Sequence, residues 1–297
     1  MTVAAIAAST DPAVESPEQD ATASAPSRRA RGLRSRPWGL YLAILVVTLA
    51  VLWALIPGVF APGDPLTGTP ADKLLPPSAA HWFGTDTLGR DLFGRVVHGA
   101  VHSLSGALIA VTVGLALGTL LGAVAGALGG VVDDILMRVV DVLLAIPGLL
   151  LSLSVIILLG FGTVNAAIAV GLGSVAAFAR LMRSEVARVR RSEYVEAAYG
   201  SGGTFLSVLR RHVLPNSLTP IVALAALQFG TAILAISTLG FLGYGAPPPT
   251  PEWGLLIAEG RNYTATAWWL TALPGLVVVA VVLSANRISH RIGRNSR

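Results

Sequence analysis

Hydrophobic and polar positions in this chain fall into long alternating blocks. Apolar runs near the length of about 20 residues that a helix needs to cross a bilayer core extend from Trp38 to Phe60 and from Ser103 to Gly130. Others run from a charged turn at Asp133–Asp141 through Pro147 to Gly160, from Val164 to Leu181, from Ser217 to Leu242 and from Thr266 to Ala285. None has the strict alternation of a membrane β-strand. The pattern predicts an all-α membrane protein of about six transmembrane helices. Around them, 1–37 reads as a disordered tail, poor in large apolar residues, and 38–60 as the first span, an uncleaved anchor. Residues 61–102 form a Pro- and Gly-rich outer loop with an interfacial segment. A core transmembrane domain covers 103–287 and contains a polar insert at 183–215, and 288–297 is a terminal tail.

Finer spacings predict contacts. Small residues recur every fourth position at Gly106, Ala110, Gly114, Gly118, Gly122, Gly126 and Gly130, letting helix backbones approach closely in lipid. Each step advances about 40° beyond a full turn, so the stripe is expected to serve more than one neighbour. Asp91 and Arg95, four apart, and Arg138 and Asp141, three apart, predict local ion pairs. Trp268 and Trp269 fit an interfacial aromatic belt. The prolines from Pro247 to Pro251 predict a stiff loop without a regular element.

Composition agrees: 54% of the 297 residues are hydrophobic and 12% charged, against about 25% charged in a soluble domain, and mean hydropathy is +0.70. The net charge of +5 is unevenly placed. Arg28, Arg29, Arg31, Arg34 and Arg36 precede the first span, seven arginines from Arg180 to Arg211 lie in or beside the insert, and Arg287, Arg291, Arg294 and Arg297 close the chain. By the positive-inside bias, both termini and the insert are expected in the cytoplasm, and the basic character is that of span flanks rather than of a nucleic-acid binder. The chain has no cysteine. Its single lysine, Lys73, precedes Leu74, so there is no phosphate loop ending in Gly-Lys-Ser/Thr. His98 and His102 share a helical spacing but lack a third ligand, and no nucleophile elbow is present. No catalytic residue, metal site or resident cofactor is expected.

The insert carries the most information. Ser192 is placed to cap a helix from Glu193 to Ser201, with Glu193 at the positive end of its dipole. Glu196, Ala197 and Ala198 then offer a surface of little bulk, and Gly200, Gly202 and Gly203 break the helix with a turn that reads as flexible. An amphipathic stretch from Phe205 to His212 follows, and Pro215 stands where the fifth span begins. Glu196-Ala197-Ala198, Gly202 and Leu214-Pro215 resemble the "EAA" loop of permease subunits of bacterial ABC importers. The run Gly84-Thr85-Asp86 to Gly89-Arg90-Asp91 and the run Pro248-Pro249-Thr250-Pro251-Glu252-Trp253-Gly254 are similar to the second permease of the dipeptide/oligopeptide/nickel family.

That resemblance implies a MetI-like ABC importer transmembrane domain in the bacterial inner membrane. It implies a second homologous permease, one or two ATPase subunits that bind the ATP and Mg²⁺, and an extracytoplasmic solute-binding protein. Glu193, Tyr194, Glu196, Ala197, Ala198, Gly202, Leu214 and Pro215 would then couple to the ATPase. The polar in-span residues Asn165, Gln228, Thr231, Ser237 and Thr238 are candidates to line the pathway. Peptides are the first expectation for the substrate, with nickel chelates, haem or opines as alternatives. The chain departs from the family after Asn286, where Ser289-His290-Arg291 replaces the common acidic ending. An ion-driven carrier would predict internal repeats and midplane acids, neither of which is seen, and a membrane assembly protein is the other rival.

Overall fold

The computed structural model describes residues 38–295, with side chains through Arg291, so the expected tail at 1–37 and its arginines lie outside the described residues. The helices are α1 (Trp38–Leu55), α2 (Pro57–Phe60), α3 (Leu92–Leu128), α4 (Gly130–Ala145), α5 (Gly148–Leu159) and α6 (Thr163–Arg190). After them come α7 (Glu193–Gly200), α8 (Phe205–Val208), α9 (Leu214–Phe241), α10 (Trp253–Gly260) and α11 (Trp269–Asn295). Among the described residues there is no strand, only an isolated bridge between Thr85 and Asp91.

Among the described residues, five helices are long and apolar enough to span: α1, α3, α6, the continuous helix Phe205–Phe241 and α11. The pair α4 and α5, bent by 96° at their junction, is apolar enough to count as a sixth if it crosses as one broken span. The cause is local. Ile146 is extended with ψ 126°, as a residue before proline prefers, and Pro147 has no N–H to continue the ladder. Phe205–Phe241 absorbs an extra residue as a π turn at Leu209–Val213.

The ends of the helices sort onto two faces. Arg287 of α11 lies against Gly39 at the start of α1, and this arginine-rich face also holds the end of α6, α7 and the start of α9. On the opposite face, Trp269 Nε1 at the start of α11 donates to Thr85 O at 3.3 Å. That bond takes Trp269 out of the expected aromatic belt: it is buried, while its neighbour Trp268 is exposed.

The glycine stripe of α3 is the main seam. A Cβ at Gly118 would stand 2.5 Å from Phe178 Cβ and Val175 O of α6, and one at Gly126 would stand 2.8 Å from Arg183 O. Gly114 and Gly122 also meet α6, so α6 follows the drifting stripe from Gly106 to Gly126, and Gly106 meets α9 as well, at Ile236. Gly130 has left the stripe and opens α4 with φ +54°.

Three boundaries differ from the sequence reading. Helix α3 begins at Leu92, eleven residues before Ser103, because the Asp91 carboxylate caps it by accepting from Gly94 N at 2.7 Å. The proline-rich run gives way to a helix, α10, because the Glu252 side chain caps its first turn. The last helix continues without a break to Asn295 instead of ending near Arg287, and Ser289 in the divergent segment donates to Ala223 O of α9 at 3.2 Å.

Candidate functional site

On the arginine-rich face, α7 is held by one side and open on the other. Val195 is fully buried and shares a cluster with Val208 and Val213, against which Ala198, Leu209 and Leu214 pack. Glu193, Tyr194, Glu196, Ala197, Tyr199 and Gly202 are exposed, as are Phe205 and Leu206 beyond the turn. Leu214 is half-buried and Pro215 exposed at the start of α9. Ser192 occupies the cap position without capping: its hydroxyl donates to Val189 O at 2.5 Å, back into α6. The glycine turn is also firmer than its composition indicates. Gly202 adopts φ +88°, a left-handed conformation that costs other residues about 1–2 kcal/mol. The N–H of Gly203 bonds Ala198 O at 3.0 Å, where its own Cβ-less carbon fits against Val208.

Of the expected pathway residues, Gln228 and Thr231 come together. They face a cavity of about 230 Å³ between α3, α5, α6 and α9, which Ser152 and Ser174 also line. Thr231 Oγ1 donates to the Gln228 backbone and side-chain oxygens at 2.9 and 3.2 Å. The other candidates lie elsewhere. Asn165 Nδ2 closes the α5–α6 turn by donating to Leu159 O and Gly160 O. Ser237 is buried with no partner for its hydroxyl, and Thr238 bonds its own helix at Leu234 O. Ser152 and Ser174 carry no signal in the sequence, because a lone serine in an apolar run has no pattern to mark it.

The expected short-range ion pairs do not form. Arg95 Nη1 instead donates to Asp86 Oδ2 at 2.9 Å and Glu259 Oε2 at 2.5 Å, with Arg90 Nε on Asp86 at 2.6 Å. Asp91, spent on its cap, has its other carboxylate oxygen 3.1 Å from His81 Nδ1. Asp141 pairs with Arg180 of α6 at 2.6 Å rather than with Arg138, and Arg183 grips Asp133 with Nε and Nη2. Glu252 is the remaining buried acid; it accepts from Gly254 N and Leu255 N, both at 3.0 Å, and from Ser103 Oγ at 3.3 Å.

Residues 118–297 match the family described as "Binding-protein-dependent transport system inner membrane component". The dipeptide transport system permease protein DppC of Alkalihalophilus pseudofirmus is 38% identical over 272 residues, covering 92% of this chain and 90% of the relative. The probable D,D-dipeptide transport system permease protein DdpC of Escherichia coli is 39% identical, with 86% and 85% covered. The glutathione transport system permease protein GsiD of Shigella flexneri is 42% identical, with 82% and 81% covered. Among solved structures, the inward-facing MetNI methionine ABC transporter aligns with a TM-score of 0.57 at 18% identity, over 69% of this chain and 98% of that one. An amino acid ABC transporter aligns at 0.54 and 14%, over 68% and 94%; both show a shared fold. Five or six apolar spans, the insert between α6 and α9 and these matches together place the chain in the binding-protein-dependent transport system inner membrane component family, as a permease subunit of an ABC importer.

Proposed function

We propose that this chain forms half of a translocation pathway for short peptides in the bacterial cytoplasmic membrane, a second homologous permease supplying the other half. Solute arrives from an extracytoplasmic binding protein on the face that carries α10. One or two ATPase subunits, which hold ATP and Mg²⁺, dock on α7. The relatives named for dipeptide and glutathione transport support the substrate class, glutathione being itself a tripeptide.

The observation that carries the coupling role is the exposed Glu196–Ala197 surface on a helix whose opposite side, at Val195, is fully buried. A helix anchored in this way transmits a push instead of folding away from it. Glu196→Arg leaves every buried contact of α7 in place. In a complex reconstituted with its ATPases and binding protein, it should reduce ATP-dependent uptake of a labelled dipeptide and ATPase co-purification about tenfold, the equivalent of about 1.4 kcal/mol of docking energy. Wild-type uptake with full ATPase retention would remove the coupling assignment.

A further inference from the structure

Charge facing hydrocarbon is expensive, so an exposed ion pair on a spanning helix needs water or protein opposite it. Asp141 of α4 and Arg180 of α6 form such a pair at 2.6 Å, with side chains 58% and 56% exposed. At about 1.5 Å per residue, Arg180 lies roughly 25 Å from the Thr163 end of α6, inside a core of about 30 Å counted from that end. The surface of α4 beside Asp141 is aliphatic, with Val139 52% and Val142 58% exposed.

Gly173, Ala177 and Arg180 recur at i, i+4 and i+7, one face of a helix. Gly173 lines the cavity that holds Gln228 and Thr231. The ion pair therefore stands about 10 Å further along the same face, toward the arginine-rich side, with the Arg183–Asp133 pair beyond it. A protein surface seated on Asp141 and Arg180 would desolvate a pair that is already satisfied and gain no new pairing. Water suits it better.

We propose that Asp141 and Arg180 line the aqueous pathway at the cytoplasmic mouth of this cavity, where a zwitterionic solute exchanges partners with them, carboxylate to Arg180 and ammonium to Asp141. The exchange rests on the peptide reading above; the location does not. A guanidinium fork matches a carboxylate bidentately. Self-pairing keeps the empty site neutral, and exchange replaces one ion pair by two, so no charge is left alone at any stage.

The chain's lack of cysteine allows a direct test in the assembled transporter with cysteine-free partners. Arg180→Cys and Ala177→Cys, the latter leaving the pair intact, should react with a charged methanethiosulfonate from the cytoplasmic side about tenfold or more faster than Val139→Cys, an exposed aliphatic position at the same level of α4, since thiolate formation and reagent access both need water. Equally slow labelling of all three overturns the location. For uptake, Arg180→Gln should raise KM about tenfold for a dipeptide and leave its C-terminal amide unchanged relative to wild type, while Asp141→Asn should spare only the N-acetylated peptide. Equal losses for every peptide would make the pair a structural brace and overturn the exchange. Fast cysteine labelling in a transporter that takes up no peptide would overturn the substrate reading and the exchange while the location stands.

Discussion

Glu252 is a carboxyl with no cation beside it among the described residues, fully buried beneath the face where α10 begins. Burial pushes its pKa above the ordinary value of 4.5, against the opposing pull of Gly254 N–H, Leu255 N–H and the Ser103 hydroxyl. A carboxyl raised in the folded state binds its proton more tightly there than in the unfolded chain, so its contribution to stability is full at low pH and lost as pH rises through the raised value. The thermal midpoint of the purified complex should therefore fall as pH climbs above 4.5, and Glu252→Gln should flatten that dependence. Glu252→Ala should cost about 1–3 kcal/mol by stranding two helix-end donors. The sequence offers Glu252 only as one letter of a proline-rich run. Its partner Ser103 is 149 positions away, and no local spacing reports a bond of that span. Asp141 and Arg95 carry the same lesson: nearest-neighbour spacing paired them with Arg138 and Asp91, whereas a cap and packed helices redirected both.

At the scale of elements, the seam between α3 and α6 was legible as a stripe of small residues, and its use by one partner was not. A four-residue spacing drifts around an isolated helix, and only the course of α6 decides whether a neighbour follows the drift. Gly118→Val would drive side-chain atoms into Phe178 and Val175 O, overpacking worth about 1–3 kcal/mol or more. It should lower the detergent-solubilised midpoint or abolish expression, while Gly275→Ala, with nothing within 4 Å, should leave both unchanged. The insert shows the reverse case. Its helix and turn were plain in the sequence, but composition alone made the turn look loose. Gly202 at φ +88° and Gly203 against Ala198 O make it a specified corner.

Across the whole molecule, some polar residues of the spans bond their own helix or an adjoining turn, and others converge from different helices. Gln228 and Thr231 converge on one cavity with Ser152 and Ser174, so Gln228→Leu should depress uptake several-fold, about 1 kcal/mol or less in apparent solute affinity, without altering ATPase co-purification. Uptake equal to wild type would remove Gln228 from the pathway. Hydropathy and charge along the chain specify the membrane class, five or six spans, the side that carries the arginines and the position of the insert. Each of these follows from hydropathy and charge summed over neighbouring residues, which is how a bilayer reads a chain. Tertiary structure alone decided which acid meets which arginine, where Glu252 is buried, and which polar residues share a cavity. Those outcomes join residues on different helices, and their energies depend on distances that exist only once α3, α6, α9 and α10 are packed.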